Sequence, residues 1–494
     1  MESELISFEH LFEEYWPHLA FALGLIIGSV AAVHAAMTKN DVRAAIGWVG
    51  VILMSPLLGP FLYLIAGINR IRHDQIAEQR NTNLQDYLPS TRSGQAGGVE
   101  PDDAIAPELL SLRTLGDKIA QFPLRNGNRV QLLRSGDETY PAMVAAINSA
   151  QRTIALQSYI FDNDRVGREM VDALDRAQQR GVQIRVLIDS VGSKYSRPPI
   201  TRALRKCRIR CALFMTNPLG VMRMPYANLR SHRKILVIDG TVGFTGGMNI
   251  REGFVSALAG AATARDTHFR VQGPVVTQLM SVFAHDWEFT TKEHLPFSVW
   301  CPDTQTPVVG PLAVAARCIR SGPDRHLGNT HNMLLGALAV ARRHVRIQSP
   351  YFLPDQVLLG AINTAARRGV RVDIVIPGRN NLRLVNYAMT AQLDQVIQSG
   401  CRVWRASGTF NHAKLATIDG LWSYVGSSNL DPRSLRLNFE LDMEVYSRDL
   451  AEELNGLIDQ EIAGAEPVTL ESLKGIPFRK RLRNRVIWLA SPYL

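Results

Sequence analysis

Two stretches of this chain are spelled almost alike. The first runs Ser231-His232-Arg233-Lys234-Ile235-Leu236-Val237-Ile238-Asp239-Gly240 and continues to Gly246-Gly247-Met248-Asn249. The second runs Asn411-His412-Ala413-Lys414-Leu415-Ala416-Thr417-Ile418-Asp419-Gly420 and continues to Gly426-Ser427-Ser428-Asn429. Both fit H-x-K-x4-D-x6-G-[GS]-x-N, with the histidines 180 positions apart. Internal duplication on that scale constrains the fold more than any other feature. Each copy belongs to its own structural unit, and two like units are expected to pack about a pseudo-two-fold axis.

The spacing carries chemistry. On a strand, residues two apart share a face, so each His and Lys point the same way and can meet one anion. The apolar run after them reads as a buried strand closing in an Asp-Gly turn. Each Asp lies five residues past its Lys and does not share that face by alternation. Asp239 and Asp419 are therefore expected to support the site rather than to carry protons. The downstream Gly-Gly or Gly-Ser, followed by Asn249 or Asn429, suits close backbone approach and a polar donor to a phosphate. One His-x-Lys alone would read as ordinary half-buried strand residues. Two full copies with identical spacing do not.

The duplication extends beyond the motifs. Leu132-Leu133-Arg134-Ser135-Gly136 parallels Cys318-Ile319-Arg320-Ser321-Gly322. Ile154-Ala155-Leu156-Gln157-Ser158-Tyr159 parallels Val345-Arg346-Ile347-Gln348-Ser349-Pro350. Arg180-Gly181-Val182 opens a β-branched run matched by the one after Arg368-Gly369-Val370. Each half, 110–305 and 306–470, reads strand, helix, strand, helix, strand and then the motif strand. Helical apolar spacing falls on Met143 to Arg152 and Met333 to Arg343. Such alternation predicts an α/β sheet in each half, with both motif strands at one cleft.

The duplicated pattern resembles the phospholipase D superfamily. Within it, Asn228-Leu229-Arg230-Ser231-His232-Arg233-Lys234, Arg436-Leu437-Asn438-Phe439-Glu440-Leu441 and Gln348-Ser349-Pro350-Tyr351-Phe352-Leu353-Pro354-Asp355 resemble the bacterial cardiolipin synthases. That resemblance implies two phospholipase D-like α/β sandwich domains. It implies catalytic roles for His232, Lys234, Asp239, His412, Lys414 and Asp419, and phosphate binding by Asn249 and Asn429. Asp266 and Glu440 each follow a motif on an alternating, strand-like run. A histidine that shuttles protons needs its second ring nitrogen held. By the resemblance, Glu440 holds His232 and Asp266 holds His412, each across the two halves.

The implied reaction is phosphatidyl transfer between two phosphatidylglycerol molecules through a phosphohistidine, giving cardiolipin and glycerol. Sequence symmetry does not say which histidine attacks, and the resemblance favours His232. No cofactor and no metal are expected. Alternatives are a phospholipase D that hydrolyses lipids to phosphatidic acid, a nuclease of the same superfamily, and an inactive membrane scaffold. The apolar segments described next argue against nucleic acid as a partner, and the intact motifs argue against a scaffold.

Of 494 residues, 46% are hydrophobic and only 20% charged, lean for a wholly soluble chain. The formal net charge of +10 suits an anionic partner, nucleic acid or an anionic lipid surface. Tyr15 to Thr38 and Ala44 to Asn69 hold no Asp, Glu, Lys or Arg. Both are long enough to span a bilayer, and Pro56 and Pro60 are tolerable in a membrane helix. Residues 1–72 are therefore expected as a helical hairpin. The acidic start Met1-Glu2-Ser3-Glu4 argues against a cleaved signal.

Arg70, Arg72 and Arg80 outnumber Lys39 and Arg43. That bias places the catalytic part, and both chain ends, on the cytoplasmic side of a bacterial inner membrane. Residues 73–109, rich in Ser, Gly, Pro and Asn, read as a linker. The five cysteines form no C-x-x-C, and Cys207 with Cys211 lack a matching pair for zinc, so burial or a reducing compartment is expected. Arg202, Arg205, Lys206, Arg208 and Arg210 read by default as a solvated helix face, the functional alternative being a patch facing anionic headgroups. The basic segment 471–494 carries Phe478 to Leu489, expected as an amphipathic helix lying on the membrane surface.

Overall fold

A computed structural model describes residues 2–39, 41–68, 76, 78, 80, 105–216, 229–301 and 307–491. Residues 81–104, most of the expected linker, and Asn228 of the motif lie outside them. The chain divides into two compact units, Met1–Arg72 and His73–Leu494.

In the first unit, the expected span Tyr15–Thr38 belongs to one unbroken helix, Glu2–Thr38. Asp41 starts the next helix by accepting the Arg43 and Ala44 N–H groups at 2.7 and 3.1 Å. The second expected span, 44–69, is not continuous. Helix Val42–Met54 stops at Ser55, and Leu58–Leu62 resumes and runs into a π-helical turn, Tyr63–Gly67. Pro56 has no N–H to extend the first piece. Gly59 then approaches it so closely that a Cβ there would lie 2.5 Å from the Val51 carbonyl oxygen. The chain folds back on itself. Pro56 and Leu57 rest against Gly28 and Gly24 of the long helix. The Tyr63 hydroxyl returns to His34 Nδ1 at 2.8 Å, and Lys39 Nζ donates to the Gly67 carbonyl. The second apolar stretch is thus a helical V lying beside the first helix.

The second unit is built on one extended sheet. From one edge the strands of the first half run Cys211–Phe214, Gln183–Asp189, Thr153–Ser158, Ile235–Ile238, Val242–Gly246, Thr267–Gln272 and Arg125–Arg134. The second half follows in reversed sequence: Val314–Ser321, Asn438–Tyr446, Trp422–Gly426, Leu415–Ile418, His344–Gln348, Arg371–Pro377, Arg402–Ala406 and Glu466–Val468. The two equivalent strands Arg125–Arg134 and Val314–Ser321 pair with each other at the centre, as a pseudo-two-fold requires. Three parallel strands in each half, joined by helices such as Arg165–Gln179 and Gln356–Arg367, give the expected α/β character. Each half also has a helix and strand before its motif that the simple alternation omits: Thr201–Lys206 with Cys211–Phe214, and Arg383–Ile397 with Arg402–Ala406. Of the basic run, Arg202, Arg205 and Lys206 fall on the helix Thr201–Lys206, and Arg208 and Arg210 on the turn between it and the strand.

Each half has its own apolar core. The division at residue 110 does not follow those cores. Ile105, Leu109, Leu112 and Leu124 are buried with Met333, Ala337 and Ile362 of the second half. Helix Leu110–Ile119 therefore covers its partner's helix Asn329–Val340, because its apolar face, Leu112 and Leu115, finds its complement there. Parts of the expected linker are also built in, since Ile76 and Arg80 are buried.

Candidate active site

Each motif histidine enters the cleft along a strand of the opposite half. Arg230–Ser231 pairs in parallel with the start of Asn438–Tyr446, and His232 N–H donates to the Phe439 carbonyl at 2.9 Å. In the mirror arrangement Arg265 bridges Asn411, and His412 N–H donates to the Arg265 carbonyl at 2.7 Å. The next residue on each supporting strand is the acid. Glu440 Oε2 lies 3.0 Å from His232 Nδ1, and Asp266 Oδ2 lies 2.8 Å from His412 Nδ1. The two rings stand 6.4 Å apart, centroid to centroid, at 83°. With each Nδ1 occupied, Nε2 is the nitrogen left for chemistry on both rings.

The lysines lie against the histidines. Lys234 and Lys414 are buried, and each donates to the backbone carbonyl of its own motif histidine. Lys414 also reaches His412 Nδ1 at 2.9 Å. Burial lowers both ammonium groups, to about 7 at Lys234 and about 8 at Lys414, against the pull of Glu440 and Asp266. Burial likewise depresses the imidazoles, with Lys414 adding to the effect at His412, which falls to about 3. Burial alone would raise the two acids. At Glu440 the His232 ring outweighs it, and at Asp266 Lys414 and His412 do, so both stay below the usual carboxylate range. The cleft thus holds neutral imidazoles, ionised acids and two easily discharged cations.

Asp239 and Asp419 stand elsewhere, and a catalytic place for them does not hold. Each lies at the far end of its motif strand, on the order of 20 Å from its histidine at strand rise. With the following glycine it forms the left-handed centre of a three-residue hairpin loop, φ 51° and 67° at Asp239-Gly240, 55° and 69° at Asp419-Gly420. The Asp239 carboxylate accepts the N–H groups of Gln151, Arg152 and Thr153 at 2.8, 2.7 and 2.8 Å. Asp419 accepts those of Arg342, Arg343 and His344 at 2.9, 2.7 and 2.7 Å. Five residues of strand carry the side chain to the opposite edge of the sheet, where it supports the entry of the neighbouring strand.

The residues after each motif strand differ in detail between the halves. A Cβ at Gly247 would lie 2.4 Å from Asp266 Oδ1, so the close approach made there is that of the orienting carboxylate. The equivalent residue is Ser427, whose hydroxyl donates to Glu440 Oε2 at 2.5 Å and whose carbonyl lies 3.0 Å from His232 Nδ1. A short acid faces glycine, and the acid longer by one methylene faces serine. Asn249 Oδ1 accepts the Ile160 N–H at 3.1 Å, leaving its amide hydrogens as its further donors. Asn429 Nδ2 instead donates to Ser434 Oγ at 3.1 Å.

Two features escaped the sequence reading. Aromatic rings wall the histidines: Tyr159 lies 5.3 Å from His232, and Phe410 and Tyr351 lie 5.7 and 6.1 Å from His412. Tyr159 and Tyr351 follow the matched strands of the repeat, and Tyr351 also stands in one of the stretches that resemble the cardiolipin synthases. Behind the cleft, Arg233 makes two 2.7 Å bonds to Asp286, which also accepts from Gln157 at 2.8 Å and from Arg80 at 2.6 Å. Among the described residues, no group of three or more His, Cys, Asp or Glu is placed to hold a metal ion.

A duplicated fold with two histidines facing each other, each oriented by the other half's acid, defines a phospholipase D-type enzyme. The family model described as cardiolipin synthase, PLD-like domain, matches residues 143–287 and 334–462, and one described as phospholipase D-nuclease N-terminal matches 26–67. The chain belongs to this cardiolipin synthase family of phosphatidyltransferases. It is 32% identical over 480 residues to cardiolipin synthase A of Pseudomonas entomophila, covering 96% of this chain and 98% of that one. It is 33% identical over 478 residues to cardiolipin synthase A of Pseudomonas putida KT2440, with the same coverage. The solved phosphatidylserine synthase of Haemophilus influenzae shares the fold, with a TM-score of 0.59 and 16% identity over 78% of this chain and 100% of that one.

Proposed function

We propose that the chain makes cardiolipin from two phosphatidylglycerol molecules, at the bacterial inner membrane and from its cytoplasmic side. One observation carries this reading: two imidazoles 6.4 Å apart, each with Nδ1 taken by an acid of the opposite half. That spacing fits one phosphorus between two Nε2 atoms. His232 Nε2 attacks phosphorus, the bond to the glycerol oxygen breaks, and that oxygen takes a proton from His412. A phosphatidyl group is then held on His232. The hydroxyl of a second phosphatidylglycerol gives its proton to His412, attacks phosphorus and breaks the P–N bond, releasing cardiolipin.

Neutral His232 is the form that attacks. His412 must carry a proton as acid, and the anionic phosphodiester beside it raises its proton affinity. Lys234, Lys414 and the Asn249 amide steady the charge on the phosphoryl oxygens. The apolar first helix supports attachment to the bilayer that supplies both substrates.

The test is a lipid assay on purified protein with head-labelled and tail-labelled phosphatidylglycerol. Cardiolipin with free glycerol supports the reading, and phosphatidic acid as the main product makes water the acceptor instead. His232→Ala is expected to lose both turnover and covalent label. Phosphatidyl label trapped on the His232→Ala protein would overturn the assignment of the nucleophile.

A further inference from the structure

The helix Phe478–Leu489 is exposed and basic, and the reaction does not use it. Four large apolar side chains on it face solvent: Phe478 at 67%, Leu482 at 52%, Val486 at 57% and Leu489 at 72% exposure. Their spacing of four, four and three residues sets them in one line along the helix. At 100° per residue they cover an arc of roughly 80°. Arg479 and Arg483 border that arc on one side, and Arg481 and Arg485 on the other. No Asp or Glu follows Glu471 to the end of the chain.

The opposite side of the helix is fixed to the protein. Asn484 is buried, the Arg483 guanidinium lies 3.6 Å over the Tyr387 ring, and Arg485 pairs with Asp394 at 2.6 Å. Tyr387 and Asp394 belong to the helix Arg383–Ile397 of the second half's core. The apolar line is therefore held outward on a rigid mount, with no protein segment among the described residues covering it.

We propose that this helix is a docking plane that seats the catalytic part on an anionic phospholipid surface. Apolar side chains between two rows of arginine match the two layers such a surface offers, acyl chains inside and phosphate at the boundary. Of the four flanking arginines, Arg483 and Arg485 are held by Tyr387 and Asp394, so Arg479 and Arg481 are the ones whose stems reach along the apolar stripe while their guanidinium groups take phosphate oxygens. A second copy of the same face would set arginine against arginine, and a neutral protein groove would leave the flanking cations unanswered. The proposal stands on exposure and charge, so it does not depend on the reaction assigned to the cleft.

The experiment uses the full chain, reconstituted in vesicles, with the half-exposed Cys207 and Cys211 changed to serine and a fluorescent label at Leu482→Cys. A second sample carries the label at Ser472→Cys, an exposed position off the stripe. In vesicles of phosphatidylglycerol with phosphatidylcholine, the label at 482 should shift to the blue and be quenched severalfold more by lipid-borne nitroxide than the label at 472. In phosphatidylcholine alone the quenching at 482 should fall. Leu482→Gln/Val486→Gln should keep the melting temperature and lose most of the lipid quenching of a label placed at Leu489→Cys. Absence of lipid quenching at 482, or quenching equal with and without phosphatidylglycerol, overturns the proposal. So does protection that vanishes when the protein is diluted in the bilayer, since a second copy would then cover the stripe.

Discussion

Arg80 and Asp286, 206 residues apart, form a buried ion pair at 2.6 Å behind the cleft. The same carboxylate is held by Arg233, between His232 and Lys234. Arg80 also lies 4.4 Å over the ring of Phe439, whose carbonyl receives the His232 N–H. Burial alone would raise Asp286, but Arg233 and Arg80 outweigh it and hold the acid well below the usual range. A residue near the start of the second unit, in the stretch expected as a linker, thus supports the strand beside His232. Arg80→Met should destabilise the catalytic unit by about 3 kcal/mol, the cost of leaving a buried charge short of a partner. Thermal unfolding checks this, and Arg80→Lys should recover part of the loss.

Asp239 predicts the opposite division between stability and turnover. Asp239→Ala removes the acceptor of three backbone N–H groups. It should cost about 2–4 kcal/mol in denaturant unfolding. Enzyme that remains folded should keep its kcat, since the turn lies far from the phosphorus. A large loss of kcat without loss of stability would contradict this placement.

Gly247→Ala tests the room made for Asp266. A methyl 2.4 Å from the carboxylate oxygen must displace it, loosening the hydrogen bond that orients His412. The expected result is a fall in kcat of about 10–100-fold with little change in KM, from loss of a positioned general acid and base. Ser427→Ala, which removes a donor to Glu440 and adds no bulk, should be milder.

The lysines predict the pH profile. Lys234 and Lys414 lose their charge as pH rises through about 7 and about 8. In the proposed reaction the charged forms steady the phosphoryl oxygens, so kcat/KM should fall on the alkaline side, beginning near neutrality. Lys234→Arg, charged at every accessible pH, should move that fall upward. A kcat/KM that stays level to pH 9 would exclude the lysines as titrating contributors, about two units above the lower value.

How far the sequence foretold these relationships depended on whether partners share a local pattern. The motif strands, the Asp-Gly turns and the α/β halves follow from periodicity within a few residues. The pairing of Glu440 with His232 and Asp266 with His412 crosses the halves, and the family resemblance supplied it. The geometry then gives its cause, because each acid follows the residue whose carbonyl receives the histidine N–H. Arg80 was illegible, since composition describes its stretch as a linker and nothing local marks a burial partner 206 residues on. Helix Leu110–Ile119 shows an apolar face, but a face does not name which half it covers. The second apolar stretch counted correctly for length and failed for continuity, because Pro56 and Gly59 together permit a reversal that hydropathy cannot register.

That reversal bears on sidedness. The piece Val42–Met54 rises only about 20 Å, short of the roughly 30 Å hydrocarbon layer, before the chain turns back and Gly67 arrives beside Lys39. Lys39 therefore stands beside Gly67, after which the sequence continues to Arg70 and Arg72, while the sequence at the start of the long helix carries Glu2, Glu4, Glu9, Glu13 and Glu14 and no Lys or Arg. Were the long helix to span a bilayer, four cations, Arg43 included, against none would favour placing the amino terminus and the onward chain on opposite faces, which cysteine labelling at the two ends would check.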